Sequence, residues 1–273
     1  MELGALSVSI EDADAETGVE QPIFGEPGDV TPGLWRHNVV TALFGMEAVP
    51  EHTLREAEIA TGLHHHKFTI EHVAEQDWVR HTRLQFDPIR INSSLWIVPS
   101  WHVAPDQDAI NIVLDPGLAF GTGSHPTTQL CLLWLAENLR RGESVLDYGC
   151  GSGILAIAAK LLGAGETIGV DIDPQAIGAS ISNAAQNNVD LRFAKPDALS
   201  DYRADIIVAN ILANPLKILA PLLTSMCCKG GRIVLSGILP EQAGEVGAAY
   251  SQWFDMQAPT KMENWVLMVG IKR

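Results

Sequence analysis

Residues 144–153 read Ser144-Val145-Leu146-Asp147-Tyr148-Gly149-Cys150-Gly151-Ser152-Gly153, and a segment rich in Ala, Ile and Leu follows. An apolar run that enters a turn of small residues and leaves it as an apolar helix has few uses. Glycine permits left-handed backbone and lets a ligand approach the chain closely. The helix behind the turn offers free N–H groups at its start. The pattern predicts a strand over 144–148, a helix over 154–162 and a nucleotide-like ligand held at the turn.

Strand and helix patterns alternate from there to the end. Strands are expected at 167–170, 191–194, 204–209, 232–236 and 265–271, and helices at 174–187, 212–226 and 241–253. Such alternation implies an α/β domain with a mainly parallel sheet covered on both faces. With 273 residues, 47% of them hydrophobic, the chain can bury a core of that size.

The earlier part reads differently. Residues 6–10 alternate like a strand, and 34–44 form a short amphipathic stretch. Residues 53–61 look helical, with Thr53 as N-cap and Glu56 as its capping-box partner. Residues 67–73 alternate again. We read 1–73 as a small α+β domain, 74–86 as a linker helix and 87–273 as the α/β domain, opened by a strand at 95–98.

Charge and cysteines narrow the class. The formal net charge of −15 disfavours direct nucleic-acid binding and favours a basic or neutral partner. Cys131, Cys150, Cys227 and Cys228 form no C-x-x-C pair, which suits a reducing cytoplasm. The first basic residue is Arg36, so no charged segment of an export signal precedes an apolar run. The apolar stretch 206–223 is broken by Asn210, Asn214, Pro215 and Lys217, so no membrane span is expected. His64-His65-His66 has no spaced partners and makes a poor metal site; none is expected. Cys150 has no visible activating partner and reads as a small turn residue.

Three features mark a site. Asp171 ends the strand that follows the glycine turn, at the spacing of ~20 residues where nucleotide-binding folds place a ribose-binding acid. The alternative role for Asp171 is N-cap of the helix starting at Pro174, which Asp173 could fill equally well. Asp147 brings a carboxylate that can hold an ammonium, directly or through water, and Gly149 and Gly151 let a ligand approach. Upstream, Asp115-Pro116-Gly117-Leu118-Ala119-Phe120-Gly121-Thr122-Gly123-Ser124-His125-Pro126-Thr127-Thr128 reads as a lid loop, ending in a hydroxyl that caps a helix beginning near Gln129. Phe120 and Thr128 are its candidates to reach the ligand. Finally, Asn210 stands at the end of an apolar strand, where open α/β sheets bind ligands. Its amide oxygen can accept a bond from an amine.

The third glycine falls at 153, not at the position a dinucleotide fingerprint requires. The resulting D-x-G-x-G-x-G resembles the cofactor loop of Rossmann-like methyltransferases. Taken with the lid and Asn210-Ile211-Leu212-Ala213, it resembles the family of bacterial methyltransferases of large-subunit ribosomal protein L-eleven. That resemblance runs through the α/β domain and includes Asp77-Trp78-Val79-Arg80 and Leu95-Trp96-Ile97-Val98-Pro99-Ser100-Trp101. It implies S-adenosylmethionine as cofactor, S-adenosylhomocysteine as product, and cofactor contacts at Thr128, Gly149, Asp171 and Asn210. It also implies an N-terminal domain that binds the ribosomal protein and a catalytic domain that methylates its N-terminal and lysine amines. The partner is expected free of the ribosome, and the enzyme is expected to be a monomer.

Methyl transfer from a sulfonium needs a neutral amine, whereas a free lysine has a pKa of about 10.4. Asn210 is the candidate to orient that amine. No residue declares itself a general base; His125 is a candidate, with loop packing as its alternative. Two rivals stay open. One is an N-methyltransferase of another protein, a small molecule or a nucleobase, although the segment after Asn210 lacks an aromatic for stacking a flat base. The other is a cofactor-fold binding protein without catalysis.

Overall fold

The computed structural model describes residues 4–15, 34–45, 48–62, 68–71, 86–116, 121–199 and 202–273. The chain divides into two compact units, Met1–Asp77 and Trp78–Arg273.

In the first unit, β1 (Ser7–Asp12) pairs antiparallel with β2 (Asn38–Leu43), Ser7 opposite Leu43 and Asp12 opposite Asn38. The middle of the amphipathic stretch 34–44, Asn38–Leu43, is thus a strand. Helix α1 (Pro50–Thr61) starts earlier than expected. Pro50 stands at the first helical position, where its missing N–H costs nothing. Thr53 therefore lies inside the helix and not at its cap; its hydroxyl donates to the Val49 carbonyl at 3.4 Å. Glu56 faces His52 at 3.7 Å, one turn back. Residues 68–71 carry no strand. The histidine run, Phe120 and nearly all of the expected linker helix lie outside the described residues.

The second unit opens with a three-stranded sheet of β3 (Ile89–Arg90), β4 (Leu95–Val98) and β5 (Ile110–Val113). Helix α2 (Pro126–Asn138) follows. The α/β alternation then runs through β6 (Val145–Tyr148), α3 (Ile154–Leu161), β7 (Thr167–Val170), α4 (Pro174–Gln186), β8 (Arg192–Ala194) and β9 (Ala204–Asn210). It ends with α5 (Ala213–Met226), β10 (Cys227–Ile238), α6 (Ala243–Tyr250), β11 (Phe254–Met256), β12 (Thr260–Met262) and β13 (Trp265–Lys272).

These strands form one eight-stranded sheet in the order β11-β13-β10-β9-β6-β7-β8, with β12 also on β13. From β10 to β8 all pairs are parallel; β13 runs antiparallel to β10, β11 and β12. The mainly parallel Rossmann-like sheet expected from the sequence is present. Alternate residues feed two cores, as a pleated strand requires. Ile206 and Val208 of β9 join Val145, Leu132 and Ile157 on one face. Ile207 and Ala209 join Leu146, Leu216 and Tyr250 on the other. The chain moves outward from β6 to β8, then returns to place β9 on β6's other side. The β6–β9 boundary is therefore the topological switch point, where parallel sheets open a crevice at their carboxyl ends.

Candidate active site

The glycine turn sits on that crevice. Gly149, Gly151 and Gly153 have φ of +80°, +53° and +80°, values that other residues rarely adopt. The amides of Gly149 and Cys150 both donate to the Val170 carbonyl, at 2.7 and 2.9 Å, which ties the turn to the end of β7. A Cβ on Gly149 would stand 2.4 Å from Cγ2 of Ile211, so the turn and the end of β9 approach as closely as a bare backbone allows. At Gly153 a Cβ would meet Ser180 and Phe193, which explains the third glycine by helix–sheet packing.

Asp171 follows β7 directly. Its Oδ2 accepts from the Gly151 amide at 2.9 Å and its Oδ1 from the Asp173 amide at 3.0 Å. Asp173, not Asp171, caps α4, accepting from the Gln175 amide at 2.8 Å. Asp171 is half-buried, and each of its oxygens keeps lone-pair capacity for a hydroxyl donor.

Asp147 is fully buried and does not line the cleft. Its Oδ2 accepts from the Ala156 amide in the first turn of α3 at 3.1 Å, while its Oδ1 has no partner among the described residues. Burial pushes its pKa up to about 7; the Ala156 amide opposes that rise and the Asp171 charge adds to it. Its Oδ1 stands as a buried acceptor behind the glycine turn. Through Oδ2, Asp147 braces the helix behind that turn. Burial also raises the thiols of Cys131 and Cys150 well above the ordinary range, which disfavours the nucleophilic thiolate.

Two residues distant in sequence close the site. Asn210 ends β9, and its Nδ2 donates to Oγ1 of Thr128, 3.3 Å away in the first turn of α2. Thr128 is wholly buried. Gly121, Thr128, Gly149, Cys150, Gly151, Ile154, Leu155 and Asn210 line one cleft. Four residues assigned from sequence, Thr128, Gly149, Gly151 and Asn210, thus meet there. Ile154, Leu155 and Gly121 were not assigned; the first two open α3 and the third belongs to the lid sequence, so position within the motifs was the available signal. Ser152 donates from Oγ to the Gly121 carbonyl at 2.8 Å, linking the turn to the lid.

Helix α2 begins at Pro126, three residues before the expected start, and its cap is His125 and not a threonine hydroxyl. Proline favours the first helical position, which moves the cap one residue upstream. Among the described residues no cluster of metal-ligating side chains exists, and no helix is long and apolar enough to cross a membrane.

The residues fit S-adenosylmethionine: a turn that only bare backbone can form, an acid with free lone pairs at the ribose position, and a buried acceptor oxygen behind them. Comparison with known proteins points the same way. The sequence model of the family described as ribosomal protein L11 methyltransferase (PrmA) matches residues 1–273. The ribosomal protein L11 methyltransferase of Methylobacillus flagellatus is 60% identical over 273 residues, covering 100% of this chain and 92% of that protein. The protein of the same name from Neisseria meningitidis serogroup B is 56% identical, with the same coverage of both chains. Among solved structures, the ribosomal protein L11 methylase of Lactobacillus delbrueckii subsp. bulgaricus matches with a TM-score of 0.65 and 36% identity, covering 69% of this chain and 100% of that one. The chain belongs to the ribosomal protein L11 methyltransferase family.

Proposed function

We propose that this protein transfers methyl groups from S-adenosylmethionine to lysine side-chain and N-terminal amines of ribosomal protein L11. The observation that carries the reading is the Asn210–Thr128 pair above the glycine turn, at the switch point of a chain that matches the family end to end. The cofactor supplies an electrophilic methyl group on a sulfonium. In this reading Gly149 and Gly151 admit it against bare backbone, and Asp171 accepts from its ribose hydroxyls. Thr128 is assigned a contact with it from the start of α2, and Phe120 one by its place in the lid sequence. Asp147 acts through the turn and helix it braces.

The chain's part in the chemistry is positioning. A lysine amine must shed its proton on or before entry, and desolvation in a closed cleft lowers its pKa. The side-chain oxygen of Asn210 can accept from the amine while its Nδ2 is engaged by Thr128, which fixes the direction in which the oxygen points. Orientation of this kind supplies much of the acceleration in a single-step transfer. Residues 1–73 are assigned the role of reading the ribosomal protein, free of the ribosome, by a monomeric cytoplasmic enzyme. The test is mass spectrometry of purified L11 after incubation with enzyme and S-adenosylmethionine. Mass gains in steps of about 14 daltons on amines are expected. Turnover only on RNA or a metabolite, or none at all, would overturn the assignment.

A further inference from the structure

The start of α2 depends on one residue that has no place in the cleft. Thr127 donates its amide to Nδ1 of His125 at 3.3 Å, and the same ring nitrogen lies 2.7 Å from the Thr127 hydroxyl. The amides of Thr128 and Gln129 both donate to the His125 carbonyl, at 3.0 and 3.1 Å. Pro126 has no N–H, so every amide donor of this first turn ends on His125. The imidazole is held from outside by Trp265 at the start of β13. The ring centroids are 4.9 Å apart and the planes lie 65° from parallel, an edge-to-face contact. Thr128, in the first turn of the helix, carries the hydroxyl that accepts from Asn210.

We propose that His125 is a positioning residue: its neutral imidazole, seated against Trp265, sets the register of the first turn of α2 and so the place of the Thr128 hydroxyl against Asn210 and the cofactor. This rests on the reading of Thr128 and Asn210 as cofactor-site residues. The accepting role of Nδ1 requires that nitrogen to be unprotonated, with the ring hydrogen on Nε2. Protonation would turn Nδ1 into a donor facing the Thr127 amide, and the cap would open. The structure guards against this. Burial lowers the pKa of His125, and Glu263, in the turn between β12 and β13, is the charged group that acts on it in the opposite sense. Glu263 itself sits at φ +51° in that turn. The C-terminal hairpin therefore presents to the lid helix both the ring that seats His125 and the carboxylate that tunes it. His125 does not line the cleft, so a role through Thr128 replaces its general-base candidacy.

The experiment measures S-adenosylmethionine affinity by calorimetry from about pH 5 to 8 on the full chain and on His125→Ala, His125→Asn and Thr128→Ala. Asparagine keeps a short side-chain oxygen that caps a helix but does not titrate. His125→Ala should weaken binding about tenfold near neutral pH, the scale of a lost cap, and His125→Asn should restore most of it. The native protein should lose affinity in acid, at a pH below the ordinary histidine value because burial lowers the His125 pKa, whereas His125→Asn should not share that loss. Asp147 titrates in both proteins, so the difference between the two profiles isolates His125. Native affinity in His125→Ala alongside weak binding in Thr128→Ala would overturn the role of His125. Unchanged binding in Thr128→Ala would overturn the site reading and this inference with it. Should His125→Ala fail to fold, the His125→Asn profile decides: a fall in acid equal to the native one overturns the proposal.

Discussion

Asn210 donates its side-chain amide to the hydroxyl of Thr128 at 3.3 Å, joining the end of a central strand to the first turn of a helix far earlier in the chain. The bond leaves the Asn210 oxygen aimed by a fixed partner. Replacing Asn210 by Ala removes an orienting group from the cleft, and such losses cost on the order of 10²-fold in rate. Single-turnover methylation of L11 at saturating cofactor should show that drop, with a smaller loss of cofactor affinity. Asn210→Asp keeps an acceptor and should retain part of the rate. A native single-turnover rate in the Ala variant would leave Asn210 with a purely structural role.

Asp171 holds the Gly151 and Asp173 amides and is assigned the ribose. Asp171→Ala should weaken S-adenosylmethionine binding by roughly 1–3 kcal/mol, the range for a charge-assisted bond. Calorimetry reads this directly. Affinity equal to the native protein would remove Asp171 from the cofactor site.

Asp147 makes stability depend on pH in a direction opposite to that of most carboxylates. Its pKa in the folded protein is about 7, against 3.8 for the free side chain. The folded state therefore holds the proton more tightly than the unfolded one. Its contribution is fully present below about pH 4, shrinks as the pH rises and is lost above about 7. Asp147→Asn abolishes this dependence. Thermal unfolding without cofactor should show the Asn variant gaining on the native protein between about pH 5 and 8. A constant difference across that range would mean that Asp147 is ionised throughout.

Two glycines should respond in opposite senses to alanine. At Gly149 the backbone is left-handed and the new Cβ would sit 2.4 Å from Ile211, so Gly149→Ala should destabilise by about 1–3 kcal/mol and impair cofactor binding. Gly178 lies inside α4, its φ is not positive, and beyond its own helix backbone no atom stands within 4 Å of the place an alanine methyl would take. Gly178→Ala should therefore stabilise by about 1 kcal/mol. Denaturant unfolding of the two variants checks both signs.

Most of the second unit was legible because its signals are local. The apolar run before Gly149, the glycines themselves and the Ala-rich helix behind them need only their own neighbours to specify strand, turn and helix, and β6, α3, β7, α4 and β9 fall within a residue or so of expectation. Where the reading missed, the reason is equally physical. Strands β11 and β12 have three residues each, too few to show a period, and pair with the eight-residue β13; β5, also short, pairs with β4 of equal length. The α2 cap was misplaced because His125 is a poor cap by type; its ring nitrogen accepts from the Thr127 amide, and the ring packs on Trp265 from a distant strand.

What the sequence determined by itself was the chemistry available: a glycine turn, an acid one strand later, a hydroxyl-bearing lid and an amide at a strand end. Tertiary structure alone decided how those groups meet. The return of β9 to the inner side of β6 brings Asn210 beside Gly149, and the packing of α2 on the sheet then carries Thr128 to Asn210. Burial placed Asp147 behind the turn, where its carboxylate accepts from the first turn of α3. These outcomes follow from strand order and desolvation, which depend on contacts between distant segments and leave no periodic trace in the chain.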